Sequence, residues 1–353
     1  MFKPARHLLR TGILALLTGI LVLLARFLPG FWFSFYTDFS RAAIGVLGAL
    51  WSWLPCSAWE LLLVLLIAAV IVGLVLAIRK KRMLGFFCAL LELLTLMVFL
   101  FVGLWGLNHF APTIGEQTGL TIGQYSAEQL KSAARYYAQR ASELSAQVER
   151  DEQGDVVLPE FSVLSDEAVA AYGRLAADNS RYALRARRVK SLLFSRAFAY
   201  MGFTGVYICY TGEPCVSAKT YSLSQPFTSC HELGHSLAVA REDEANYLAF
   251  LACRASEDTL FRYSGYYCAF VYCYNALCAE DGAEVGSLWQ LCSDELLHDC
   301  NVHVAHNTQY EGKVQEAASA VNDAYLKTFD EPGVKSYGLV VDYLIAEYLE
   351  QMK

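Results

Sequence analysis

Two histidines separated by three residues are the strongest chemical feature of the sequence. Residues 230–235 read CHELGH, so His231 and His235 share one face of a helix, with Glu232 beside them. Two imidazoles on one helical face can bind one zinc ion, which lowers the pKa of a bound water to about 7. Glu232 is placed to complete the deprotonation of that water before it attacks a carbonyl carbon. The spacing therefore predicts hydrolysis of a peptide or amide bond.

Such a site needs a third protein ligand, and two glutamates follow within a short distance. If the helix ran straight, Glu242 would stand about 16 Å along the axis from His231, so we expect the chain to turn around 238–241. A second helix that begins at Glu242 would bring its carboxylate back, and Asn246 could then support His231 from behind. The E-x-x-x-N spacing favours Glu242 as the third ligand. Glu244 is the alternative.

The first part of the chain is unusually apolar. With 55% hydrophobic and only 18% charged residues, the composition predicts that part of the chain lies in a lipid bilayer. Three stretches are long enough to cross roughly 30 Å of hydrocarbon, at about 11–29, 59–78 and 84–107. The aromatic stretch between the first two is amphipathic, which indicates a segment in the membrane interface and not a fourth span.

Charge divides the chain into two predicted domains. Residues 1–108 hold nine Lys and Arg and three Asp and Glu, which leaves nineteen and thirty-two for the remainder. Basic clusters precede the first span and join the second to the third, so the positive-inside rule places both in the cytoplasm. We expect a three-helix anchor over 1–108 in the cell membrane, with a cytoplasmic N-terminus, and an extracytoplasmic domain over 109–353. The acidic remainder argues against a nucleic acid partner.

The second domain has mainly helical patterns. Ser126 and Gln129 fit a capping box before a long amphipathic helix, and Ser165 is expected to open another. Between 189 and 226 the pattern changes to β-branched and aromatic residues bounded by turns, which predicts one or two short strands. Helical patterns return from Phe227 to the end. The fold class is therefore mainly α.

Several segments resemble a known bacterial membrane family, the domain of unknown function 3810. They are FTSCHELGHSLAVAREDEANYLAFLAC, LWGLNH, VYICYTGEPCVS and VKSYGLVVDYLIAEY. The resemblance implies a membrane-anchored zinc metallopeptidase with an unestablished substrate. The E-x-E-A-N arrangement is also similar to gluzincin-type families, which implies a zincin-like domain with His231, His235 and Glu242 as ligands and Glu232 as base. The family usually has a glycine where this chain has Ala238.

Other residues are weaker candidates. Tyr337 lies in the family-like segment KSYG and is predicted to donate a hydrogen bond to the oxyanion of the transition state. Glu213 is a candidate for the wall of the cleft. The tyrosine-rich stretch 263–274 is expected to pack in a core. Surface or core roles are favoured for three further histidines, His298, His303 and His306.

The predicted function is that of a membrane-anchored, zinc-dependent metallopeptidase whose partners are the lipid bilayer and a peptide or protein substrate. The alternative is a catalytically inactive sensor or scaffold that retains the metal site. An intramembrane protease is disfavoured, because the charged run Arg241–Glu244 directly follows the histidine helix and no long apolar stretch surrounds it.

Overall fold

Helices dominate the computed structural model. It describes residues 4–123, 125–280, 285–329 and 332–352, without the side chains of Glu280, Ser336 and Tyr337. Helices take 72% of the residues and strands 4%, which confirms the mainly α class with a few short strands. The role predicted for the side chain of Tyr337 lies outside the described residues.

Five helices form the N-terminal part: α1 (Pro4–Phe27), α2 (Pro29–Trp32), α3 (Tyr36–Leu50), α4 (Ala58–Arg79) and α5 (Met83–Leu104). Within the described residues, α1, α4 and α5 are the three that are long and apolar enough to cross a membrane, as predicted. The 22 residues of α5 extend about 33 Å, close to the thickness of the hydrocarbon layer. α5 ends at Leu104 and not at Leu107, because the backbone of Trp105 leaves the helical region.

Helix α3 contacts the C-terminal end of α5. Its 15 residues extend only about 22 Å, too short to cross roughly 30 Å of hydrocarbon. The Tyr36 hydroxyl donates a hydrogen bond to the carbonyl oxygen of Val102 (3.1 Å), and the Ser40 hydroxyl donates to that of Leu104 (2.6 Å). The aromatic segment between the first two long helices is therefore not a fourth span, in agreement with the sequence.

Three helices follow the last candidate span: α6 (Ile114–Thr118), α7 (Ala127–Ser145) and α8 (Phe161–Asp178). The capping box of α7 is present in both directions, since the backbone N–H of Gln129 donates to the Ser126 hydroxyl (3.2 Å) and the Ser126 N–H donates to the Gln129 side chain (2.8 Å). Helix α8 begins about one turn before the predicted Ser165. The hydroxyl of Ser165 instead bonds to the backbone of Val189, which ties α8 to the sheet.

A small three-stranded sheet follows α8 in the sequence and precedes the helix that carries His231 and His235. Its strands are β1 (Lys190–Ser191), β2 (Gly205–Ile208) and β3 (Glu213–Val216), and α9 (Ser195–Tyr200) connects the first two. β2 and β3 form an antiparallel hairpin with Ile208 opposite Glu213, and β1 pairs with β3 in parallel. The order β1-β3-β2 leaves β2 at the edge of the sheet. The sequence predicted one or two short strands in this region, and the structure has three.

The remaining helices are α10 (Gln225–His235), α11 (Glu242–Ala255), α12 (Thr259–Glu280), α13 (Gly286–Trp289), α14 (Asp294–Thr308), α15 (Lys313–Lys327) and α16 (Val340–Gln351), with a 3₁₀ helix over Gly333–Leu339. Every residue of α10 is buried, and α7, α8, α11, α12 and α16 belong to the same hydrophobic core. Tyr263 and Tyr267 of α12 are buried and bond to Asp299 and His303. The sequence analysis predicted that this tyrosine-rich stretch packs in the core, and these two tyrosines do so.

Two buried glutamates join the sheet region to the start of α4. Glu213 pairs with Lys190 and accepts hydrogen bonds from the backbone N–H groups of Ala58 and Trp59 (both 3.1 Å). Glu60, in the first turn of α4, accepts from two backbone N–H groups just after β1. The prediction that Glu213 lines the cleft was wrong, because its carboxylate caps the N-terminus of α4 and neutralises a buried lysine.

Candidate metal site

The two histidines of the HELGH segment lie at the C-terminal end of α10. Residues four apart on a helix share a face, and the Nε2 atoms of His231 and His235 lie 3.1 Å from each other. Both side chains are buried. The helix therefore presents two imidazole nitrogens to one point inside the protein.

The chain turns sharply after His235. Ala238 has a left-handed backbone with φ of +65°, and the carbonyl oxygen of Val239 accepts a hydrogen bond from Nδ1 of His235 (2.8 Å). Helix α11 then begins at Glu242. The predicted break around 238–241 and the predicted start of a second helix at Glu242 are both observed.

Glu242 completes a triangle of three ligand atoms. Its Oε2 lies 3.2 Å from Nε2 of His231 and 3.6 Å from Nε2 of His235. Within the described residues, these three side chains are the group of histidine, cysteine and acidic residues that could hold a metal ion. The edges of this triangle, 3.1, 3.2 and 3.6 Å, are close to the roughly 3.3 Å that separates neighbouring ligands of a tetrahedral zinc ion with bonds of about 2.0–2.1 Å.

Hydrogen bonds on the far side of each ring fix which nitrogen faces the triangle. A backbone carbonyl cannot donate, so Nδ1 of His235 carries the proton that it donates to Val239. Nδ1 of His231 likewise donates to Oδ1 of Asn246 (2.8 Å). Both Nε2 lone pairs therefore point at the carboxylate of Glu242. Three electron-rich atoms this close repel one another unless a cation lies between them, so the donor set fits a divalent metal ion.

Without a metal ion, protons must offset this repulsion. Burial disfavours charge on His235, but the adjacent carboxylate of Glu242 outweighs it and raises the pKa of His235 to about 9. Burial likewise opposes ionisation of Glu242, but the two histidines lower its pKa far below the usual value. The pair therefore favours an imidazolium and a carboxylate, in which a proton on the ring takes the place of a cation.

Glu244, the alternative ligand in the sequence analysis, does not belong to this group of three side chains. Its Oε1 accepts hydrogen bonds from the backbone N–H of Ile114 (2.9 Å) and from the hydroxyl of Tyr343 (3.2 Å). Residues two apart on a helix point about 200° apart around the axis, so Glu244 faces away when Glu242 faces the histidines. Glu244 ties α11 to α6 and α16.

Asn246 stands one turn after Glu242 on α11. Its Oδ1 accepts the hydrogen bond from Nδ1 of His231, and its side chain also lies within hydrogen-bonding reach of Tyr272. This contact fixes the ring of His231 and holds its Nε2 toward the triangle. The structure thus brings Asn246 to the position that the E-x-x-x-N spacing predicted.

Glu232 is buried beside the histidines and borders a cavity. Its Oε2 has no hydrogen-bond partner. Burial raises the pKa of this carboxyl to about 7, because it outweighs the lowering effect of the two imidazoles. Its other carboxylate oxygen lies over the backbone of Gly205 in β2. A Cβ at that position would stand 2.4 Å from Oε1, so only glycine leaves room for this carboxylate.

The cavity next to the metal site has a volume of about 760 Å³. The histidines, Glu232 and Glu242 lie on one side. Other parts of the wall come from strand β2, from the end of α5 with Phe101 and Trp105, and from α15 with Gln315 and Ser319. A cavity of this size can accept several residues of a peptide, and its lining contains both apolar and polar residues.

Tyr207 is a polar cavity residue that the motifs did not reveal. It lies in β2, its ring centroid is 6.1 Å from that of His235, and its hydroxyl is buried without a hydrogen-bond partner. Burial raises the pKa of Tyr207 well above 10, so the hydroxyl stays protonated and can donate. The sequence shows only that Tyr207 lies in a predicted strand, two residues before Cys209 and the turn that follows it.

The three remaining histidine candidates lie elsewhere. His298 contacts Asp155, His303 accepts from the hydroxyl of Tyr267, and His306 bonds to the backbone of Lys219. None of these histidines lines the cavity beside the metal site. The structural roles favoured by the sequence agree with these contacts.

Fold and site together define a membrane-associated helical protein with a His–His–Glu cluster that could hold a metal ion, in which both histidines are buried. The chain belongs to the family described as Protein of unknown function (DUF3810), whose family model matches residues 35–345. No curated protein and no solved structure matches the chain. The family agrees with the resemblance in the sequence and assigns no activity.

Proposed function

We propose that the protein is a membrane-anchored zinc metallopeptidase. The observation that carries this proposal is the triangle formed by Nε2 of His231, Nε2 of His235 and Oε2 of Glu242, with both Nδ1 protons directed away from it. Two imidazoles and one carboxylate, with the fourth position left open, form a ligand set that catalytic zinc sites use. A zinc ion bound there would act as a Lewis acid and lower the pKa of a coordinated water to about 7.

Glu232 is the proposed general base. Its Oε2 has no hydrogen-bond partner and the residue lines the cavity, so this carboxylate can accept a proton from the attacking water and later release it. The proton would then pass to the nitrogen of the departing amine. Gly205 leaves the space that this carboxylate occupies above the strand.

Tyr207 is the proposed donor to the oxyanion. Tyr207 lines the cavity, and its hydroxyl is protonated, buried and without a partner, so it is available to donate a hydrogen bond to charge that develops on the carbonyl oxygen. A single preorganised donor of this kind is worth about 10²–10³ in rate. In this proposal Tyr207 takes the role that the sequence gave to Tyr337.

Strand β2 is the proposed support for the substrate backbone. It is the edge strand of the sheet, and Gly205, Val206 and Tyr207 all line the cavity. An extended peptide can add to a free strand edge through main-chain hydrogen bonds, which position the scissile bond with little dependence on sequence. The substrate class is therefore a peptide or an extended segment of a protein.

The orientation in the membrane is part of the proposal. Lys80, Lys81 and Arg82 lie between α4 and α5, and the positive-inside rule supports a cytoplasmic position for them. We propose that residues 109–353 lie on the extracytoplasmic side of the cell membrane. Reporter fusions after Arg82 and after His109 test this orientation. A cytoplasmic signal from the second fusion would reverse it.

The activity is tested with the purified full-length protein in lipid nanodiscs, loaded with zinc and given a mixture of randomised peptides. Glu232→Gln should retain zinc and lose about 10²–10⁴-fold in hydrolysis, as expected for removal of a general base. Glu244→Gln is the matched control, because it also changes a buried carboxylate but lies outside the cavity. Equal turnover by Glu232→Gln and the wild type would refute the proposed base, and zinc binding without any turnover would favour a scaffold.

A further inference from the structure

The metal site lies directly against the end of the third candidate membrane span. Trp105 is the first residue after α5, and its indole N–H donates to the carbonyl oxygen of His235 (3.5 Å). The rings of Trp105 and His235 have centroids 5.7 Å apart. Since α5 is about as long as the hydrocarbon layer is thick, its end marks the membrane surface. The ligand His235 therefore lies in the interfacial region.

The tip of the β2–β3 hairpin reaches further toward the membrane. The hydroxyl of Tyr210 donates to the carbonyl oxygen of Met97 (3.1 Å), which lies about 10 Å before the end of α5 at the helical rise per residue. The ring of Tyr210 stacks on that of Trp59 at the start of α4 (5.0 Å between centroids). The tip of the hairpin therefore lies on the membrane side of Trp105, next to the first turn of α4.

Exposed apolar side chains lie at the same level. Leu193 and Phe194 are 52% and 48% exposed, and their backbone N–H groups bond to Glu60 in the first turn of α4. Large apolar groups beside the end of a membrane helix are expected to enter the lipid interface. The segment that leads into α9 thus lies on the bilayer, and Phe198 of α9 is part of the cavity wall.

The cavity therefore has one wall made by the membrane domain itself, through Phe101 and Trp105. We infer that its substrate is the juxtamembrane segment of a protein anchored in the same bilayer, and not a freely diffusing peptide. This inference rests on the proposed peptidase function and specifies its substrate class. Anchoring in the same bilayer holds such a segment at a high effective concentration near strand β2, to which it can add when it is extended.

The test compares anchored and free forms of one peptide mixture. The full-length, zinc-loaded protein is placed in vesicles with randomised peptides joined to a single synthetic transmembrane helix. Gly/Ser spacers of roughly 3 or 30 residues join the two parts and reach about 10 and 30 Å from the bilayer. The same peptides without the helix are the soluble probe, and Glu232→Gln is the control for cleavage by this site.

We expect the short-spacer peptides to be cleaved at least about 10-fold faster than the soluble ones, with the long-spacer peptides between them. Equal rates for anchored and soluble peptides would overturn the inference and leave the peptidase proposal intact. Faster cleavage of long-spacer than of short-spacer peptides would also overturn it, because the cleft would then lie away from the membrane. If the wild type cleaves no probe faster than Glu232→Gln does, the peptidase proposal itself fails.

Discussion

The Nδ1 atom of His235 lies 2.8 Å from the carbonyl oxygen of Val239, so the turn that ends the first metal-site helix also selects the tautomer of its second histidine. The same turn starts the helix that carries Glu242. Local backbone geometry and the chemistry of the site are therefore coupled at residues 236–241. Ala238 has a left-handed backbone conformation, which raises the free energy of the folded state at this turn.

Ala238→Gly should stabilise the protein. A left-handed backbone costs an L-residue about 1–2 kcal/mol, and the greater freedom of glycine in the unfolded chain returns part of this, so the net gain is about 0.5–1 kcal/mol. Denaturant unfolding in detergent measures it. Ala240→Gly is the control, since Ala240 is buried and has no positive φ, and it should destabilise the protein. A loss of stability in Ala238→Gly would contradict this account of the turn.

Glu242→Gln should weaken zinc binding far more than Glu244→Gln. Removing the carboxylate of Glu242 removes one corner of the ligand triangle, which should cost more than the roughly 10–100-fold seen when only an outer partner of a ligand is lost. The amide of Gln at position 244 can still accept from Ile114 and Tyr343. Zinc competition with a chelating dye measures both affinities. If the two variants lost zinc affinity to a similar extent, Glu242 could not be the third zinc ligand in preference to Glu244.

Gly205→Ala should reduce activity while zinc stays bound. The added Cβ would lie 2.4 Å from Oε1 of Glu232, so the carboxylate must move. A displacement of about 1 Å at a reacting group can cost around 100-fold in rate. The measurements are zinc content and peptide hydrolysis. Gly173→Ala, where no atom lies within 4 Å of the new Cβ, is the control and should keep full activity. Full activity in Gly205→Ala would show that the position of Glu232 is not critical.

His303 should make the protein less stable in mild acid. Burial, reinforced by His306, lowers the pKa of His303 to about 4, against about 6.5 in an unfolded chain. The unfolded state therefore binds a proton more readily, so stability is fully present above pH 6.5 and falls as the pH drops to 4. The loss is at most about 3 kcal/mol. Its neutral ring accepts from Tyr267.

His303→Gln should lose this part of the acid sensitivity, because an amide can accept the same hydrogen bond without titrating. Denaturant midpoints of variant and wild type, measured between pH 7.5 and about 4, give the comparison. The two proteins should diverge most near pH 4, where the wild type has lost the contribution of a neutral His303 and the variant has not. Parallel curves over the whole range would exclude His303 as a source of acid instability.

Features with local causes could be predicted from the sequence. The capping box of Ser126 and Gln129 depends on residues three apart, and the three long apolar helices depend on composition alone. The start of α11 at Glu242 could be predicted from the helical rise per residue, because in a straight helix Glu242 would lie too far from His231 for both to bind one ion. Asn246 followed from the same helix period.

Features that depend on distant partners could not be predicted. Glu213 looks like an ordinary turn residue until Lys190 and the N-terminus of α4 are placed against it. The choice between Glu242 and Glu244 depended on Ile114 and Tyr343, which lie far away in the chain. Tyr207 differs from other strand tyrosines only because the fold leaves its hydroxyl without a partner.

The most direct test of the central claim is zinc K-edge X-ray absorption on the full-length protein in nanodiscs. The account predicts one zinc ion per chain, with nitrogen and oxygen neighbours at about 2.0–2.2 Å and the multiple-scattering pattern of two imidazoles. Glu242→Gln should change this first shell, and Glu244→Gln should leave it unchanged. Sulfur neighbours at about 2.3 Å would place the metal on some of the eleven cysteines and contradict the His231–His235–Glu242 site.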